Sequence, residues 1–136
     1  MESLSIKRGD GTIDSFQRAA GGSELEPTQL ESLYWDEMRR VTLGAARFSR
    51  EAIRVGGVWP VILRFGPLVD GGRPIVGGLF ARRAGGTISW RADGRDTSVS
   101  VEGFAPILRG PFWRVEAWFH DLVGRRFLAR VPRETG

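Results

Sequence analysis

The chain has 136 residues, 41% of them hydrophobic, and a formal net charge of +4; a single domain of that size buries roughly 65 to 70% of the surface its unfolded chain exposes. The absence of cysteine excludes disulfides, thiolate metal sites, iron–sulfur clusters and cysteine nucleophiles together. No apolar leader and no run near the ~20 apolar residues of a membrane span is present, so neither secretion nor membrane insertion is expected and a cytoplasmic location is.

Residues 1–26 are rich in Gly, Ser and charge, with only scattered Leu4, Ile6, Ile13, Phe16 and Leu25. That is too little apolar surface to order a segment by burial, so it reads as a flexible acidic tail ahead of one α+β domain over 27–136. Asp10-Gly11 offers at most a weak hairpin turn. The pattern then changes. Thr28-Gln29-Leu30-Glu31 has the form of a capping box, and Leu30, Leu33, Tyr34, Met38 and Val41 fall at helical spacing, predicting a helix over about 28–40. Glu31, Asp36, Glu37, Arg39 and Arg40 are left to its wet face.

Next come β-like runs separated by glycine turns, the pattern of an antiparallel meander rather than of βαβ units with their long crossovers. Five strands, or more, are expected. They lie at about 42–55, at 58–66 with Trp59, Val61, Leu63 and Phe65 on one face, at 74–83, at 87–92 with Ile88 and Trp90 inward, and finally in a run placing Val99 and Val101 opposite Ser98 and Ser100. Alternation with one wet face is best explained by an antiparallel sheet with one solvated side. Gly110-Pro111 opens a long C-terminal helix of about 111–131 that Pro132 should stop. Its apolar arc of Val115, Trp118, Phe119, Leu122, Val123 and Phe127 must dock on the sheet, with Gly124 marking a kink or close packing. Arg126, Arg130 and Glu116 intrude into that arc, snorkelling to its rim or lining something polar.

Chemistry-bearing motifs are sparse. His120 is the single histidine, with Glu116 one helical turn before it, a weak candidate pair for acid–base work for which a surface ion pair is the simpler account. One histidine without cysteine leaves little to hold a metal, no phosphate-cradling glycine motif occurs, and no cofactor is expected. Whether the protein is an enzyme stays open, leaning to not.

A curved meander closed by a long helix is similar in plan to helix-grip, START-like proteins, and calycin barrels also wrap meanders around apolar pockets. The likeness is one of architecture and is carried by no sequence motif. It implies an apolar small ligand between sheet and helix, with Trp59, Leu63, Phe65, Trp90, Trp118 and Phe119 as lining and Arg126 or Arg130 receiving a polar or anionic head. The same aromatics would equally pack a solid core or a homodimer interface. The charge distribution supports a different class of function. Residues 1–37 hold eight acidic and three basic groups, net −5, and the remainder eight acidic and seventeen basic, net +9. A basic body of this kind suits an interaction module for an anionic macromolecule, regulated by its acidic tail, although nucleic acid is not the expected partner because the tryptophans alternate in phase with the buried face. A cyclase- or hydratase-like enzyme using Glu116 and His120 is the third reading.

Overall fold

The computed structural model describes residues 2–20, 25–93, 95–107 and 113–135. Strands β1 (Glu2–Lys7) and β2 (Ile13–Ala20) form a hairpin, and helix α1 (Pro27–Val41) carries the chain to the opposite edge of the sheet. From there β3 (Ala46–Ser49), β4 (Ala52–Val55), β5 (Val61–Phe65), β6 (Gly72–Gly77), β7 (Thr87–Ala92) and β8 (Asp96–Phe104) meander back until β8 lies beside β2. Helix α2 (Trp113–Thr135) then covers one face. The eight strands form one antiparallel sheet in the order β1-β2-β8-β7-β6-β5-β4-β3, so the α+β class and the meander with two helices are as the sequence predicts.

The N-terminal segment departs from expectation, since it is sheet rather than tail. Ladder hydrogen bonds order it, which composition does not register: β2 pairs with β8 from Ile13 against Phe104 to Ala20 against Asp96. Burial of Ile13, Ser15 and Gln17 follows the strand period of two. Asp10 stabilises the turn by accepting from the backbone and hydroxyl of Thr12, at 3.0 and 2.7 Å. At Gly103 the β2–β8 register slips by a residue; its φ is +69°, and its N–H donates to Asp14 at 2.8 Å. Further register shifts between β4 and β5 and between β5 and β6 add the local bend that curls a sheet.

Other boundaries move for identifiable reasons. Arg50 and Glu51 adopt positive φ without glycine, so the run 42–55 is a helix exit followed by two strands. Pro60 has no N–H for a ladder but accepts from Val55 at 3.1 Å, and β5 begins after it, leaving Trp59 outside the strand and 76% exposed. The predicted start of α2 at Gly110-Pro111 lies outside the described residues, and Pro132 is inside the helix rather than its stop. In a final turn a proline removes one backbone bond instead of breaking a long helix.

Helix α1 has its capping box at Glu26 with Gln29, two residues earlier than the predicted Thr28 with Glu31. Pro27 occupies its first position, and the Glu26 N–H donates to the Gln29 side chain at 2.9 Å. Glu31 is therefore released from a capping role and, with Glu37, is buried rather than solvated. Each has an arginine. Arg73 of β6 grips both carboxylate oxygens of Glu31, one at 3.0 Å, and also donates to the Gly66 carbonyl at 3.0 Å. Arg130 of α2 bridges Asp36 and Glu37, the latter at 3.3 Å, and Arg126 lies 3.4 Å from Glu37. Paired in this way, α1 turns Leu30, Tyr34, Trp35 and Met38 into the core against Trp90, Val99, Phe127 and Leu128. Tyr34 sits at its centre, edge-on to Trp35, Trp90 and Phe127 with ring centroids 5.1 to 5.6 Å apart.

Gly124 marks close packing. A Cβ there would fall 1.7 Å from Gln17 Oε1, and the amide of that fully buried glutamine donates to the Asp121 backbone carbonyl and side chain at 2.9 and 3.0 Å. Ser3 of β1 donates to the same carboxylate, so the N-terminal hairpin is fastened directly to α2.

Two stability predictions follow from these contacts. Glycine to alanine usually gains about 1 kcal/mol within a helix, but Gly124→Ala expels the Gln17 amide and should cost about 1–3 kcal/mol in urea unfolding. Arg73→Met strands a buried carboxylate and should cost about 3–5 kcal/mol, whereas Glu31→Leu combined with Arg73→Met should recover most of that loss. Equal losses in the single and double variants would show that Glu31 is not held as a buried ion.

Candidate functional site

The helix α2 meets the sheet and α1 closely through its C-terminal half, where Val123, Phe127, Leu128 and Val131 are buried. Its N-terminal half stands further off. Val115 and Trp118 are exposed there, and the space beneath is a cleft of about 490 Å³ lined by Met38, Ile53, Val55, Ile62, Leu63, Phe80, Phe104, Trp118 and Phe119. A smaller chamber of about 110 Å³ shares Met38, Ile53, Leu63, Phe104, Glu116 and Phe119 with the cleft and extends inward to Ile13, Ser15, Tyr34, Phe65, Ile75 and His120. Both walls are almost entirely hydrocarbon.

Polar groups collect at the inner chamber. Each comes from an element already fixed by packing: Ser15 from β2, Tyr34 from α1, Glu116 and His120 from successive turns of α2. The Tyr34 hydroxyl lies 2.7 Å from His120 Nδ1. The other ring nitrogen, Nε2, is shut away from solvent and has no hydrogen-bond partner among the described residues. Burial pushes the Tyr34 phenol above its usual range and pulls the His120 imidazole down to about 4, the nearby Asp121 charge opposing this only in part. At neutral pH both side chains are uncharged. Among the described residues no three of His, Asp and Glu gather where a metal could be held.

The residues singled out from the sequence are dispersed by the fold. Leu63, Phe65 and Phe119 line the chamber, and Trp118 lies at the exposed rim of the cleft rather than beneath the helix. Trp90 is fully buried in the core behind Tyr34. Trp59, expected to face inward, projects into solvent from the β4–β5 loop. Arg126 and Arg130 belong to neither wall. They turn toward α1 and its acidic pair, whereas the sequence suggested that one of them receives a ligand head. Glu116 and His120 do share the chamber, and both are half-buried. The residue missed was Tyr34, whose phenol stood in an apolar stripe as the one member needing a hydrogen-bond partner.

No family model matches the chain, and comparison with curated proteins and with solved structures found no similar one. Function has to be argued from the cavity itself.

A pH dependence follows from His120. The unfolded chain takes up this proton near the ordinary value of 6.5, the folded chain only near 4, so the unfolded state binds more protons between those values. Stability should therefore fall as pH drops through that window, by at most ~1.4 kcal/mol per pH unit from this group. Thermal melts from pH 7 to 4.5 should show the decline in wild type and a flatter profile for His120→Gln.

Proposed function

We propose that this protein binds an apolar small molecule, without transforming it, in the cavity between the sheet and α2. The observation that carries the proposal is an apolar cleft of about 490 Å³ that shares part of its lining with an inner chamber holding a few fixed polar groups. Small-molecule sites are typically concave, mostly apolar, roughly 300–1,000 Å³ in volume and furnished with a small number of orienting polar groups. The architectural likeness to helix-grip proteins points the same way. Among the described residues no helix is long and apolar enough to cross a membrane, and a carrier working in the cytoplasm is the setting we propose.

A cyclase- or hydratase-like enzyme is the second reading, favoured by the Tyr34–His120 bond with Glu116 in the same chamber. A basic module gated by an acidic tail has less support, because the strands β1 and β2 place much of that acidic segment in the sheet.

Native mass spectrometry of freshly purified protein, followed by organic extraction, should reveal a discrete adduct whose mass is unchanged after prolonged incubation; conversion of the adduct would favour the enzyme. Ala117→Phe projects a ring into the inner chamber that Ala117 lines. It should abolish the adduct while leaving the melting temperature unchanged or higher, because it fills existing space. Were the region solidly packed, the same substitution would cost about 1–3 kcal/mol.

A further inference from the structure

We infer that the inner end of the cavity receives an uncharged hydrogen-bond acceptor, a ketone or ester carbonyl in chemical class, and that the His120 Nε2–H is the donor meeting it. The inference rests on the proposed ligand-binding function and specifies which ligands the site selects.

Hydrogen bookkeeping decides the tautomer. A neutral imidazole carries one N–H, and a phenol has one hydrogen to donate. The Tyr34 hydroxyl is buried, and among the described residues its one hydrogen-bond partner is His120 Nδ1. If Nδ1 carried the hydrogen, it would donate to the tyrosine oxygen and the phenol hydrogen would be left in the core with no acceptor. With the phenol donating to Nδ1, that hydrogen is satisfied and the imidazole hydrogen must reside on Nε2. The Tyr34 bond thus holds the ring in the tautomer that presents a donor.

That donor has no acceptor among the described residues. A buried N–H left unmade costs free energy in the empty protein, and a ligand oxygen that accepts from it restores the loss. His120 is one of the residues lining the chamber, so a ligand seated there lies against this residue.

Charge in the wall selects against ions. Among the described residues that line the chamber there is no arginine or lysine, and Glu116 is the one carboxylate. Arg126 and Arg130 face Glu37 and Asp36 on α1 instead. A ligand carboxylate would enter hydrocarbon beside a second carboxylate, with no cation among the described lining residues to receive it. An ammonium could approach Glu116, but it has no lone pair for Nε2–H. A neutral carbonyl satisfies the donor and brings no charge.

The test uses three near-isosteric probes on the full chain at pH 7.5, read by isothermal titration calorimetry: 2-acetylnaphthalene, 2-ethylnaphthalene and 2-naphthoate. We expect the ketone to bind about tenfold tighter than the ethyl compound, as for one restored buried hydrogen bond, and the carboxylate to bind weakest. In His120→Phe the ketone should lose its advantage while 2-ethylnaphthalene still binds, which also reports that the variant is folded. Equal affinity of ketone and ethyl compound for the wild type would overturn this inference and leave the ligand-binding function standing, as would tightest binding of 2-naphthoate. Failure of all three probes to bind up to their solubility limits would remove both.

Discussion

Two buried carboxylates on one helix govern the arrangement of everything else. Glu31 and Glu37 lie on opposite flanks of the apolar stripe of α1, one held by Arg73 from the sheet and the other by Arg130 from α2. Removing one partner from a buried pair is far costlier than the pair itself is stabilising, so the two pairs act as constraints on geometry. Arg73 sets how α1 rotates over β6, and Arg130 sets how the C-terminal half of α2 lies against α1. With both ends of this arrangement held, Tyr34 is directed at His120, and the N-terminal half of α2 stays off the sheet.

The cavity can be understood as a by-product of that geometry. The fastening points of α2 fall at Asp121, Gly124, Arg126 and Arg130, from the middle of the helix onward. The earlier turns carry Glu116, Phe119 and His120 over the cavity, beside strands whose register shifts at bulges. A helix held from its middle onward need not touch a bulged sheet along its whole length. Here the open part is lined by Leu63, Phe65 and Phe104 and closed inward by the tyrosine–histidine pair.

Legibility of the sequence followed the kind of signal that each feature leaves. The strand at 87–92 and the Val99/Val101 face were readable because alternation in a half-buried strand is a local pattern. The first helix was readable from its stripe, although Trp35, which is buried and stacked on Phe48 at 4.6 Å, extends that stripe beyond the predicted positions. What could not be read was pairwise. Glu31 and Glu37 look solvated until Arg73 and Arg130 arrive from distant segments. The strand β2 looks too polar to order until β8 supplies its ladder and Asp121 its acceptor for Gln17. The turn at Arg50 and Glu51 carries none of the glycine or asparagine that usually announces positive φ. At the site, Glu116 and His120 were visible as an i, i+4 pair, but the phenol that fixes the imidazole lies on another helix, 86 positions away.

The interleaving of β2 with β8 also bears on how the molecule is made. Gln17 reaches its acceptor on Asp121 across 104 positions of sequence, and β2 has no inner neighbour until β8 has been synthesised. Emerging from a ribosome, the hairpin and α1 must wait, with Leu30, Tyr34, Trp35 and Met38 uncovered, while the whole meander is added. Contacts of such long sequence separation slow folding, and apolar surface exposed in the interval invites association between chains. The acidic segment over residues 1–37, net −5, emerges ahead of the meander it must wait for, and its like charge would keep unfinished copies apart.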